Sequence, residues 1–163
     1  MKPIITSLSL ATLAMAIMQP ALANKLEGTL NNDKYNWHIL EHQQGSTANF
    51  SELMPGMYSV SIQGHRQNKF ETKGTFVIDF MVMQGKASHA SVSYFPESAL
   101  TPHYGTKEEV PIQLDVLEFN GDTGRASGSV KASLLYMESL QAGYNPDNNL
   151  QADIRFDVTL QKE

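Results

Sequence analysis

No cysteine occurs anywhere in the 163 residues. That one absence removes thiol nucleophiles, thiolate metal sites, iron–sulfur clusters and disulfide staples. Basic residues are also few: 12 Lys and Arg stand against 17 Asp and Glu, a net charge of −5. They form no run beyond the dispersed Arg66, Lys69 and Lys73. Binding nucleic acid generally needs a basic face to neutralise phosphates, so it is not expected here. Helical periodicity is nearly absent, so no crossover helices are available to build a parallel sheet. Past residue 23, no apolar stretch approaches the about 20 residues that a membrane-crossing helix needs. No Gly-x-Ser-x-Gly occurs, so a nucleophile elbow is missing as well.

What is present begins with a leader. Lys2 precedes an apolar stretch over 4–18, and Pro20 breaks the helix before Ala21-Leu22-Ala23, a small-x-small cleavage site. The expectation is a signal peptide over 1–23 and an exported product, periplasmic or extracellular after cleavage near Ala23. Removing 23 of the 163 residues leaves 140, enough for one β domain over 24–163 with its own core. Lys2 leaves with the leader, so the net charge becomes −6.

The remainder alternates apolar and polar residues with a period of two. Strands are expected at Lys25–Leu30, 35–40, Met57–Gly64, 74–83, Lys86–Phe95, 110–119, 125–135 and 152–160. Asn31-Asn32-Asp33-Lys34 and Asn120-Gly121-Asp122-Thr123-Gly124 supply hairpin turns. Residues 45–53 read as polar and turn-like, with one helical turn after Ser46, while 96–109 and 136–150 read as long loops. One polar and one apolar face per strand belongs to antiparallel sheets packed on one side. The fold class is therefore all-β: an antiparallel sandwich of about eight strands, with an eight-stranded barrel as the alternative.

Tyr35-Asn36-Trp37 stands near the first strand, where lipocalin-type barrels carry Gly-x-Trp, with tyrosine in the glycine's place. In size and strand count the chain is similar to those barrels. The resemblance implies a closed sheet around an apolar ligand. The small residues Ala126, Gly128 and Ala132 on one strand face suit such a curled sheet.

The candidate chemistry is sparse. Tyr94, Phe95, His103 and Tyr104 border one long loop and Tyr136 and Tyr144 the other. Loop tyrosines offer large contact areas at low entropic cost, so these six are the expected ligand- or partner-binding residues. His38 and His42 would sit about 13 Å apart on one strand, too far to share a metal ion. His65, His89, His103 and Asp79 would need tertiary convergence to build a metal-dependent hydrolase. Met81-x-Met83, with Met54 and Met57, offers soft thioethers for copper(I), but methionine more often fills core gaps, and that is the expectation here. Asn145-Pro146-Asp147-Asn148-Asn149 lacks the Gly and terminal Glu of a calcium loop. No cofactor and no metal are expected. The reading is a non-catalytic binding module for a protein or a small apolar ligand, with the barrel enclosing an apolar ligand as the alternative.

Overall fold

The computed structural model describes residues 24–43 and 45–163; the expected signal peptide over 1–23 lies outside them. Among the described residues there is no helix. Twelve strands account for the regular structure: β1 (Lys25–Leu30), β2 (Asp33–Trp37), β3 (Glu41–His42), β4 (Gly45–Ser46), β5 (Ala48–Met54) and β6 (Met57–Gly64), then β7 (Thr75–Met83), β8 (Lys86–Phe95), β9 (His103–Gly105), β10 (Ile112–Asn120), β11 (Thr123–Met137) and β12 (Tyr144–Lys162).

The turns follow from residues that tolerate a left-handed backbone. Asn31 and Asn32 both adopt positive φ, 49° and 71°, and form the two-residue hairpin turn between β1 and β2. Gly121, at φ 64°, opens the expected turn between β10 and β11.

Ten strands form one sheet in the order β10-β11-β9-β8-β7-β6-β5-β12-β1-β2, and β3 and β4 pair separately. All pairings in the large sheet are antiparallel except β5 with β12, which is parallel. β11 also pairs with β12 along nearly its whole length, so the strand order returns on itself in a barrel-like circuit. β10 flanks that circuit beside β11 and packs across the interior against β5: Phe119 meets Phe50 at 4.8 Å between ring centroids. The expected sandwich and its barrel alternative therefore each describe part of the architecture.

The interior is filled by Phe50, Phe76, Phe80, Phe156, Trp37 and the aliphatic residues between them. On β7 the alternating residues Phe76, Ile78, Phe80 and Val82 are all buried. Burying each of these contributes about 1.5–3 kcal/mol. Ala152, Ile154, Phe156, Val158 and Leu160 do the same from β12.

Four expectations are corrected. Residues 45–53 hold no helical turn; they form β4 and most of β5, where Ala48 and Phe50 are buried against β6. Only two apolar side chains mark that inner face, too few to reveal the period. The 96–109 loop contains β9, which bridges β8 and β11. The 136–150 loop is mostly strand, because β11 and β12 extend toward each other and leave only residues 138–143 between them. On β10 a bulge at Asp115 shifts the register between Leu114 and Val116. Leu117 and Phe119 then pack on the core, whereas unbroken alternation from Ile112 and Leu114 would point Val116 inward. One extra residue exchanges the two faces of all that follows.

Candidate functional site

Strand register assembles one end of the sheet. Gly64 pairs with Phe76, Phe76 with Tyr94, Tyr94 with Tyr104, and Tyr104 with Tyr136. Tyr94 and Tyr104 pack against the core from this inward row, and the Tyr104 and Tyr136 rings lie 5.3 Å apart. Burial pushes the Tyr94 hydroxyl above its ordinary pKa. Tyr35, Glu97 and Tyr104 reinforce the rise and Arg66 opposes it.

The neighbouring row points to the outer face. Thr75 pairs with Phe95 and Met137 with both His103 and Tyr144. Phe95 and His103 rings approach to 5.4 Å, and Tyr144 meets His103 edge-on at 6.2 Å. The six residues expected from the sequence thus gather at one end of the fold but divide between its faces. Tyr94, Tyr104 and Tyr136 close the interior, while Phe95, His103 and Tyr144 face outward.

A cleft of about 430 Å³ opens on that outer face, lined by strand residues such as His65's neighbour Gln63, Thr75, Val77 and Phe95 and rimmed by Phe70 and Leu100. Phe70 and Leu100 are 61% and 73% exposed, although both are large and apolar. His103 supports this rim by donating from Nδ1 to the Leu100 carbonyl at 3.0 Å.

His65 forms the cleft's buried wall. It follows β6 in an outward position, but the 66–74 segment folds back over it and leaves it 2% exposed. Several bonds hold that segment down. Trp37 Nε1 donates to the Gly74 carbonyl at 2.9 Å, and the Gly74 N–H donates to the Phe95 carbonyl at 2.6 Å. The Arg66 guanidinium lies 4.7 Å from the Tyr35 ring centroid and donates to the Asn36 carbonyl at 3.0 Å.

The tautomer of His65 follows from its partners. Nδ1 lies 2.9 Å from the Glu71 carbonyl oxygen, which can only accept, so Nδ1 carries the proton. The Thr75 hydroxyl donates to the same carbonyl at 2.7 Å. Nε2 is left as a buried acceptor with no partner. The Phe70 ring stands edge-on to His65 at 5.5 Å and to His42 at 5.3 Å.

The remaining candidates lie apart. His65 and His103 are separated by the β7 and β8 strands, a span of about 14 Å at the usual strand spacing. His89, held at φ 50° in a bulge of β8, is hydrogen-bonded to Glu109 at the surface. Asp79 sits on the outer face and accepts from Ser61 Oγ at 2.6 Å. Although the residue is exposed, the neighbouring strands partly desolvate its carboxyl and raise its pKa, and that hydrogen bond opposes the rise. Among the described residues no three His, Asp or Glu side chains gather closely enough to hold a metal ion. β2 ends at Trp37, so His38 and His42 do not share a strand.

In the sequence His65 stands out only as a potential metal ligand, and neither Phe70 nor Leu100 stands out. Their one visible signal is a large apolar residue inside an otherwise polar link. No family model matches the chain, and no curated protein or solved structure matches it.

Proposed function

We propose that this protein is an exported, non-catalytic binding protein, and that its ligand is a small, largely apolar molecule carrying a hydrogen-bond donor. The observation that carries the proposal is the unpartnered Nε2 of His65 in the wall of an apolar-rimmed cleft. A buried acceptor without a donor costs about 1–3 kcal/mol. A donor on a ligand would remove that cost, and a slight displacement of the exposed Phe70 ring would admit it. The volume falls within the range of small-molecule sites, which are mostly apolar with a few placed polar groups. Phe70, Leu100, Val77 and Phe95 supply the apolar contact and His65 the orientation. The ligand is placed on the outer face because aromatic side chains already fill the interior. Export rests on the leader-like residues 1–23. Among the described residues no helix is long and apolar enough to cross a membrane.

Phenol and anisole test this reading, since they differ in the donor and little else. Titrations followed by the imidazole ¹⁵N signals of His65 are expected to show phenol binding about fivefold more tightly, the worth of one net hydrogen bond. Equal affinities, or no response of His65 to either probe, would refute it.

A further inference from the structure

Four methionines meet at the opposite end of the sheet from the cleft. Met54 pairs with Met57 across the β5–β6 hairpin, and Met57 pairs with Met83 on β7. Met81 lies one row further along, opposite Ser59 on the same face. These four are all but one of the methionines among the described residues; the other is Met137. The expectation that they fill the core is corrected here: Met54 is 60% and Met83 48% exposed, and Met57 and Met81 are half-buried.

A bulge creates the row. In unbroken alternation Met54 would share the inward face of Phe50. The register shift between Glu52 and Met54 inserts Leu53 as an extra residue and turns Met54 to the outer face beside Met57. Directly paired cross-strand residues have Cβ atoms about 4.5–5.5 Å apart, and methionine's unbranched side chain can turn its sulfur in any direction from there. Three thioethers in one row, with a fourth adjacent, can therefore converge on a single point above the sheet.

We propose that Met54, Met57, Met81 and Met83 form a binding site for a soft monovalent cation of the copper(I) class. Thioether sulfur is a soft ligand that favours copper(I) over harder divalent ions. Among the described residues no three His, Asp or Glu side chains gather that would redirect the site toward zinc. Three charged side chains stand near it. Lys86 is opposite Met83 but exposed and free to extend into water, Asp79 lies two residues before Met81 on the same face and accepts from Ser61 Oγ, and Glu52 lies 4.0 Å from Lys162. The site involves no electron transfer: sulfur lone pairs replace the ion's other ligands. It is independent of the cleft and its ligand.

The test uses the coloured copper(I)–bicinchoninate complex under ascorbate, and silver(I) nitrate in chloride-free buffer as an air-stable substitute. The protein is expected to withdraw one equivalent of copper(I). Silver(I) is expected to shift the ¹³C methyl signals of Met54, Met57, Met81 and Met83 and leave that of Met137 in place. Met57→Leu, which conserves volume, is expected to weaken binding at least about tenfold while the far-ultraviolet spectrum is unchanged. Met137→Leu is expected to bind as the wild type does. Failure to compete with bicinchoninate, equal retention by Met54→Leu/Met57→Leu/Met83→Leu, or loss in Met137→Leu would each overturn the proposal.

Discussion

Replacing His65 with leucine is expected to make the protein more stable and abolish its preference for a donor-bearing ligand. His65 is buried, and its Nε2 has no partner, a deficit of about 1–3 kcal/mol. Its Nδ1–H bond to the Glu71 carbonyl returns about 0.5–1.5 kcal/mol net. Leucine removes both terms. It orphans nothing, because the Glu71 carbonyl still accepts from the Thr75 hydroxyl at 2.7 Å. The side-chain volumes are close enough that repacking costs little. The difference favours leucine by about 1 kcal/mol. Urea unfolding followed by the fluorescence of Trp37, the sole tryptophan, measures it directly. With a typical denaturant dependence the midpoint should rise by about 0.5 M. In the same variant phenol should bind no better than anisole. A loss of about 1 kcal/mol or more would refute the reasoning, since it would mean that Nε2 is satisfied in the folded protein. Keeping a buried group at a cost in stability is expected of a site retained for binding.

Two further outcomes follow from the geometry. Partial desolvation by the neighbouring strands holds the exposed Asp79 carboxyl above the ordinary value of 3.8, against the opposing hydrogen bond from Ser61. The folded protein then binds that proton more tightly than the unfolded chain does. Stability is lost as pH rises from about 3.8 through the raised folded value. Asp79→Asn, which keeps an oxygen for Ser61, should therefore raise the urea midpoint near neutral pH and leave it unchanged at about pH 3; equal gains at both would contradict this. At Gly128 a Cβ would stand 2.1 Å from the Gln113 carbonyl oxygen and 3.1 Å from Leu114 Cα, both backbone atoms. Gly128→Ala should cost about 3 kcal/mol, lowering the melting temperature by about 10 °C, and an unchanged melting temperature in calorimetry would show that β10 and β11 can separate freely.

Local chemistry made much of this legible beforehand. The alternation of Phe76, Ile78, Phe80 and Val82, and of Ala152 through Leu160, marks inward faces that the fold does bury. Asn31-Asn32 and Gly121 make turns because those residues tolerate positive φ, a property of the residue before any neighbour is considered. The aromatic residues around 94–104 and 136–144 do come together, because β9 pairs with both β8 and β11. Their division between two faces was not legible, since it depends on register across three strands.

Side-chain alternation, turn chemistry and the lack of cysteine were enough to specify an all-β chain that must close its own core without staples. They act over a few residues and survive in any context. Long-range pairing decided everything that bears on the two proposed sites. The 66–74 segment, polar and strandless in sequence, buries His65 because Asn36, Trp37 and Phe95 tie it down from elsewhere in the chain. The extra residues at Leu53 and Asp115 turn Met54 outward and Leu117 inward, because a bulge exists only in relation to a partner strand. Period two says which side chains share a face. It cannot say where the count is broken, and the proposed methionine site depends on one such break.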